Sequence, residues 1–324
     1  MANLQQLEKP KAGGAVRRPA SGPHRRLGHN KRIFITVFLL PAVVLFLLIY
    51  AYPLLTVFAT SFTKWDFKNL MKPEFLGFGH LLDNYVRLFT KDPNFKNALF
   101  NSIWWVLLTV VIQVPLSILV ALVLSKKLKG WVFTRNAFLI PNIISTAAIG
   151  LIFLNLYDPL NGMVTELIKL LAPNAAVNIL AKPASAFWGV TFSFILFGGT
   201  NCLLLMSQIA SIPPDLYEAA RIDGANGLQL DLRITLPLLR PMIGTVLIMA
   251  CNYSLLLYNE IFLLTKGGPD GATYSLGFYV YQTSMGSSKL NFALANSAGV
   301  IQVIIGVILV AAISRLLRTN QSDL

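Results

Sequence analysis

Long stretches without a charged residue dominate the chain and alternate with shorter charged segments. No Lys, Arg, Asp or Glu lies between Arg32 and Lys64, or between Lys96 and Lys126. About 20 apolar residues are enough for a helix to cross a bilayer. Backbone groups in lipid have to pair within their own segment, which favours helices. The pattern predicts six membrane-spanning helices, at residues 33–58, 98–124, 133–156, 185–210, 242–264 and 292–316.

Composition supports a membrane protein. Of the 324 residues, 55% are hydrophobic and only 13% are charged, whereas a soluble domain carries about 25% charged residues. Most of the surface is therefore expected to face lipid, and the fold class is predicted to be an all-α polytopic helix bundle. Four prolines, at positions 41, 53, 115 and 141, lie in predicted spans and are expected to bend them.

The basic residues predict the orientation. Eight of the 27 Lys and Arg lie in the first 32 residues, where residues 1–30 lack apolar periodicity and are predicted to be a disordered tail. Residues 31–324 then form the transmembrane domain. With the tail inside, the short inner loops carry four and three basic residues against two and two outside. The positive-inside rule therefore predicts that both termini are cytoplasmic. No nucleic-acid-binding pattern accompanies the basic tail, so a nucleic-acid partner is not expected.

The loop at residues 211–241, between the fourth and fifth spans, is rich in local structure signals. Asp215 stands at an expected N-cap position, and Glu218 follows at the spacing of a capping box. Gly224 is expected to end this first short helix. A second short helix is expected before Pro237. The pattern predicts two short helices joined by a glycine turn.

This loop resembles the EAA loop of ABC-importer permeases. The residues that carry the resemblance are Glu218, Ala219, Ala220, Asp223, Gly224, Ala225, Ile234, Leu236 and Pro237. The resemblance implies the type I permease fold and a loop that docks in a groove of the ATPase subunit. It further implies that Glu218 makes a polar contact there. Asp231 departs from the family, which usually has an aromatic residue at this place.

A second resemblance concerns the segment after the fifth span, which is similar to the maltose-type sugar permeases. It rests on Thr265, Gly267, Gly268 and Pro269, followed by Thr273, Leu276, Tyr279 and Tyr281. The resemblance implies carbohydrate import across the bacterial cytoplasmic (inner) membrane. The implied partners are a second homologous permease, two ABC ATPase subunits and an extracytoplasmic solute-binding protein. An acidic oligosaccharide such as alginate, a neutral sugar and glycerol phosphate all remain open as substrates.

The sequence contains no P-loop motif, so ATP is expected to be bound by partner subunits, and no cofactor is expected in this chain. The three histidines show no metal-ligand spacing, so no metal site is predicted. Neither a nucleophile elbow nor an intramembrane carboxylate pair is present, and the chain is predicted not to be an enzyme.

Polar and aromatic side chains on the fourth and fifth spans are candidates for the substrate path. Residue type gives Ser193, Thr200, Asn201, Asn252, Tyr253, Ser254, Asn259 and Glu260. The resemblance to the maltose-type permeases, whose sugar pocket lies on these spans, implies Ser193, Phe197, Thr200, Ser254 and Leu257. Hydroxyl, amide and aromatic groups suit a sugar, and an ionisable residue within a span is a functional hypothesis. Phe197 and Leu257 differ from the small or polar residues expected in the family. The alternative for the whole set is packing and hydrogen bonding between helices.

Two functions therefore stand. The first is the membrane subunit of an ATP-driven, binding-protein-dependent sugar importer. The second is a secondary transporter or channel without an ATPase partner, which predicts coupling carboxylates and inverted repeats. Glu260 alone offers that second function little support.

Overall fold

The computed structural model describes residues 29–172, 177–287 and 290–317. The predicted tail at 1–30 lies outside the described residues, apart from His29 and Asn30, which begin the first helix. The chain divides into two compact units, Met1–Leu54 and Leu55–Leu324. The first unit is helical throughout its described part. The second contains the core and every feature discussed under the candidate site.

Helices make up most of the described structure. The α-helices are α1 (His29–Phe46), α2 (Tyr52–Thr60), α3 (Asp83–Lys91), α4 (Pro93–Leu108), α5 (Val114–Ser125), α6 (Trp131–Ile143), α7 (Thr146–Leu156), α8 (Met163–Leu171), α9 (Pro183–Ile195), α10 (Gly199–Ala210), α11 (Pro214–Ile222), α12 (Gly227–Leu230), α13 (Leu236–Leu238), α14 (Arg240–Leu255), α15 (Asn259–Leu264), α16 (Leu276–Tyr281) and α17 (Phe292–Leu317). Two short antiparallel strands, β1 (Thr63–Lys64) and β2 (Glu74–Phe75), lie between α2 and α3.

Five helical stretches among the described residues are long and apolar enough to cross a membrane. They are Ile33–Thr60, Pro93–Ser125, Pro183–Ala210, Arg240–Leu264 and Phe292–Leu317. A sixth arises if α6 and α7 together count as one span. The predicted all-α class is confirmed, and each predicted span falls on one of these stretches.

The third predicted span, 133–156, is not a single straight helix. The chain bends by 102° between α6 and α7. Pro141 lies in the last turn of α6, and Ile144 adopts an extended conformation. Ser145 then caps the new helix by accepting a hydrogen bond from the Ala148 amide at 3.2 Å. Local capping chemistry therefore breaks a stretch that hydropathy alone presents as continuous.

Three of the four π-helical turns among the described residues end two positions before a proline. The turns are Leu47–Ala51, Thr109–Gln113 and Asp231–Thr235, and the prolines are Pro53, Pro115 and Pro237. Proline has no amide hydrogen, so the carbonyl one turn earlier loses its usual donor. A local shift to the wider π pattern accommodates that loss without ending the helix. The prolines in these stretches therefore change the helix register and do not terminate it.

Buried hydrogen bonds join the second, fourth and fifth spans. The indole N–H of Trp105 donates to Thr191 Oγ1 at 2.9 Å. The hydroxyls of Thr109 and Ser254 lie 2.6 Å apart. An apolar cluster around Trp105, Phe194, Leu257 and neighbouring side chains surrounds these contacts. The three spans thus form one packed unit around which the candidate site is built.

Candidate functional site

Two further spans are interrupted near their middle. The fourth span breaks between α9 and α10, where Gly198 precedes the new helix. The fifth span breaks between α14 and α15, at residues 256–258. The bend between α6 and α7 is a third interruption. Discontinuous helices at membrane depth are tolerated where the backbone is covered by protein or lines a cavity.

A cavity of about 320 Å³ lies beside these three interruptions. Its walls come from the second, third, fourth and fifth spans. The lining residues are Gln113, Pro141, Asn142, Ile144, Thr146, Ile149, Ser193, Phe194, Phe197, Gly198, Thr200, Asn201, Met249, Ala250, Tyr253 and Glu260. Aromatic and aliphatic walls with a few polar groups are typical of a small-molecule site.

Six of the ten predicted substrate-path residues line this cavity: Ser193, Phe197, Thr200, Asn201, Tyr253 and Glu260. The other four lie elsewhere. Ser254 pairs with Thr109, and Leu257 is 2% exposed in the apolar cluster. The Asn252 amide donates to its own helix at Ile248 O, 2.9 Å away. The Asn259 amide donates to Thr146 Oγ1 at 3.0 Å, which joins the fifth span to the third. For these four, the structure shows packing and hydrogen bonding between or within helices.

Sequence reasoning missed Gln113 and Asn142, which both line the cavity. Each is an amide within a predicted span, but the same spans also contain Asn101, Asn136 and Asn155, so residue type alone did not single the two out. The Asn142 side chain reaches the start of α10, where its Oδ1 accepts from the Thr200 amide at 3.3 Å. The packing of α6 against α10 brings this residue to the fourth span.

Glu260 is the one acidic side chain among the described residues that line the cavity, and no Lys, Arg or His is among them. It is 3% exposed, and its carboxylate accepts a hydrogen bond from the Tyr253 hydroxyl. The two residues lie on either side of the break in the fifth span. Glu260 is therefore buried beside the cavity and does not face solvent.

The Gly-Gly-Pro segment forms a scaffold at the end of the fifth span. Thr265 and Thr273 share a hydrogen bond of 2.7 Å across the turn. Gly267 has a φ of +82°, and a Cβ there would lie 2.5 Å from the Tyr274 ring. Only glycine fits that position. The Asn101 amide holds the following backbone by donating to the carbonyl oxygens of Ala272 and Tyr274.

The loop at 211–241 contains the two expected short helices, α11 and α12. The predicted N-cap is wrong, because α11 begins at Pro214 and has Pro213 as its N-cap, without a capping side chain. Proline suits a first helical position, since the amide there lacks a partner in any case. The second helix carries the capping box instead, between Asn226 and Gln229. Gly224 forms the turn between them at a φ of +83°.

Helical structure continues past Pro237, which the sequence predicted to lie beyond the second helix. The π-helical turn Asp231–Thr235 connects α12 to α13. The Tyr217 hydroxyl meets Thr235 Oγ1 at 3.1 Å and so ties the first helix of the loop to this turn. The loop is thus a compact unit with its own internal contacts.

Asp231, the departure from the family pattern, forms an ion pair. Its carboxylate lies 2.5 Å from the Lys126 ammonium, which follows the second span. The side chain of Asp231 is 16% exposed and that of Lys126 is 42% exposed. The residue therefore fastens the loop to the end of the second span.

The loop exposes apolar side chains as well as charges. Ile222 is 87% exposed, and Leu216, Leu228 and Leu232 are also exposed. Among the predicted coupling residues, Glu218, Ala219, Asp223 and Gly224 are exposed, whereas Ala220, Ala225, Ile234, Leu236 and Pro237 are half-buried. Exposed apolar groups on an ordered, charged loop are typical of a surface that binds another protein.

Residues 113–322 match the family described as "Binding-protein-dependent transport system inner membrane component". The chain belongs to this family. The permease is 32% identical over 273 residues to the probable ABC transporter permease protein YurN of Bacillus subtilis, covering 82% of this chain and 90% of the relative. It is also 32% identical over 285 residues to the multiple sugar-binding transport system permease protein MsmF of Streptococcus mutans, covering 85% and 92%.

A solved structure shows the same fold. The permease superposes with a TM-score of 0.74 and 22% identity on a chain of a bacterial ABC transporter involved in the import of the acidic polysaccharide alginate. The match covers 90% of this chain and 98% of that chain. The family match and the structural likeness confirm the predicted ABC-permease fold and the inner-membrane location. The relatives are permeases, which are transport subunits.

Proposed function

We propose that this permease forms one half of the membrane path of an ATP-driven carbohydrate importer and that residues 211–241 dock on its ATPase. The proposal rests on the continuity of two helices. Helix α10 runs from the cavity lining at Asn201 to the start of the loop, and α14 runs from the end of the loop to Tyr253. At about 1.5 Å per residue, these paths span roughly 14 and 20 Å.

This continuity supports a mechanism for coupling. A rigid-body movement of α11 in the ATPase groove shifts the ends of α10 and α14 together. Because α10 and α14 both line the cavity, the same movement changes access to it. Packed helices switch between arrangements as units and do not deform smoothly. In this mechanism Glu218 and the exposed Ile222 contact the ATPase, while Gly224 and Pro237 set the geometry of the loop.

Carbohydrate is the substrate class that the cavity chemistry favours. Sugars offer hydroxyl groups for hydrogen bonds and flat C–H faces that pack on aromatic rings. The cavity supplies amides at Gln113 and Asn142, hydroxyls at Ser193 and Thr200, and aromatic rings at Phe194, Phe197 and Tyr253. The likeness to a multiple sugar-binding transport system permease agrees with this class.

The assembly that we propose follows the same family. The partners are a second homologous permease, two ABC ATPase subunits inside and a solute-binding protein outside. ATP is bound by the ATPase subunits, and this chain holds no cofactor. Both termini are cytoplasmic, as is the loop at 211–241.

The test uses the complex of permease, partner permease, ATPase and binding protein in proteoliposomes. Glu218→Arg and Gly224→Asp are expected to abolish uptake and to weaken co-purification of the ATPase. Met71→Arg is the matched control, because Met71 is 99% exposed and lies on the segment between the first and second spans, on the opposite side of the membrane. It is expected to leave both readouts unchanged. Normal ATPase binding and normal uptake in folded Glu218→Arg and Gly224→Asp complexes contradict the docking proposal.

A further inference from the structure

The cavity presents a carboxylate without a neighbouring base. Among its described lining residues there is no Lys, Arg or His, and Glu260 is the sole acid. Its hydrogen-bond donor is the neutral hydroxyl of Tyr253. None of the described lining residues therefore offsets the charge of a second carboxylate.

From this arrangement we infer that Glu260 restricts the cavity to uncharged carbohydrates. The inference rests on the proposed function and specifies its substrate class. It favours a neutral sugar over the acidic oligosaccharide that the sequence left open.

Glu260 suits a neutral sugar for a positive reason as well. A carboxylate oxygen accepts strong, charge-assisted hydrogen bonds from sugar hydroxyls. Tyr253 uses only part of the accepting capacity of the carboxylate, which offers about four lone-pair positions. Asn201 adds a complementary group, because it is 8% exposed, lines the cavity and makes no side-chain hydrogen bond within the described part of the chain. Its amide both donates and accepts, as a hydroxyl-bearing ligand requires.

An anionic sugar meets the opposite situation. A uronate beside Glu260 either repels its carboxylate or forces one of the two groups to take up a proton, and both outcomes weaken binding. At roughly 6 Å and an effective dielectric constant of about 20, such repulsion is large enough to lower affinity by about tenfold or more, even after partial screening. Specificity of this kind comes from an unfavourable contact with the wrong ligand.

The experiment measures direct binding to the solubilised importer complex, without the binding protein, so that only the membrane path selects. The probes are radiolabelled maltotriose and its C6-oxidised form, which carries carboxylates in place of the primary alcohols, compared by equilibrium dialysis. The wild-type complex is expected to bind maltotriose at least about tenfold more tightly than the oxidised probe. Glu260→Gln, which keeps the side-chain volume and the acceptor for Tyr253, is expected to reduce that preference to about twofold.

Two further variants make the result decisive. Glu166→Gln removes an exposed carboxylate that pairs with Lys169 outside the cavity, and it is expected to retain the wild-type preference. Thr200→Lys adds a positive charge at an exposed lining position and is expected to shift the preference toward the oxidised probe, which tests the idea if Glu260→Gln fails to assemble. Three outcomes overturn the inference. They are equal binding of the two probes by the wild type, an unchanged preference in Glu260→Gln or Thr200→Lys, and no binding of either probe. These outcomes are separate from the loop variants, whose uptake and ATPase binding decide the proposed function.

Discussion

Ser254 is expected to stabilise the bundle and not to contact substrate, which makes it a sharp test of the structure. Its hydroxyl and that of Thr109 lie 2.6 Å apart, and both residues are 0% exposed. The contact joins the π-helical turn of the second span to the fifth span. Interhelical hydrogen bonds within membranes contribute about 0.6 kcal/mol on average and up to about 1.7 kcal/mol. Because this pair is short and fully buried, we expect a value of about 1 kcal/mol.

The perturbation is a double-mutant cycle of Ser254→Ala and Thr109→Val. Each single substitution removes the same hydrogen bond and leaves one buried hydroxyl without its partner, so each is expected to cost about 1 kcal/mol. The double variant loses that bond only once, and it is expected to cost about 1 kcal/mol in place of the sum of about 2 kcal/mol. The free energy of unfolding is measured by SDS titration of the purified permease in mixed micelles.

Ser207→Ala is the matched control. Ser207 is exposed and its hydroxyl donates only to its own helix, at Leu204 O, 2.7 Å away. Its removal is expected to change the unfolding free energy by less than about 0.5 kcal/mol. Additive single effects, or a Ser254→Ala variant with wild-type stability and an altered KM for transport, refute the structural role assigned to Ser254.

Two other predictions concern the ends of the bundle. Either single substitution of the ion pair, Lys126→Asp or Asp231→Lys, is expected to lower uptake about two- to fivefold, because exposed ion pairs contribute up to about 1 kcal/mol. The double variant, which exchanges the two charges, is expected to recover much of that uptake in proteoliposomes. Uptake by the double variant that is no higher than that of the single variants counts against this prediction. The Tyr279 hydroxyl donates to Asp92 at 2.7 Å, and burial, followed by this hydrogen bond and the Asp92 charge, raises the pKa of Tyr279 above its usual value. The contribution of the Tyr279 hydroxyl to the stability of the fold is therefore complete below about pH 10, and it is lost as the pH rises further. Tyr279→Phe is expected to lower the melting temperature at pH 7 and to make the melting temperature fall less steeply with pH above about pH 10. A melting temperature that falls as steeply in the variant as in the wild type contradicts this assignment.

Much of the architecture follows from local sequence signals. Charge-free stretches such as 98–124 predict spans because lipid excludes both charges and unpaired backbone groups. The loop at 211–241 is also locally determined, since Gly224 adopts a positive φ that its residue type permits, and the prolines act through their missing amide hydrogens. The misplaced N-cap at Asp215 shows the limit of that reasoning. A capping-box spacing also occurs within a helix, and Pro213 and Pro214 had already fixed where α11 begins.

The cavity, by contrast, depends on which helices pack together. Sequence placed Tyr253 and Ser254 in one candidate set, yet Tyr253 lines the cavity and Ser254 faces the second span, because adjacent side chains on a helix point in different directions. Asn142 joins the site because α6 packs against α10, and the partner of Asp231 is Lys126, 105 positions earlier in the chain. Periodicity and composition determined that this chain crosses a membrane, and turn signals predicted a loop of two short helices at 211–241. Long-range packing alone decided which polar groups share one cavity, since a side chain's neighbours across the bundle are set by contacts that no local pattern encodes.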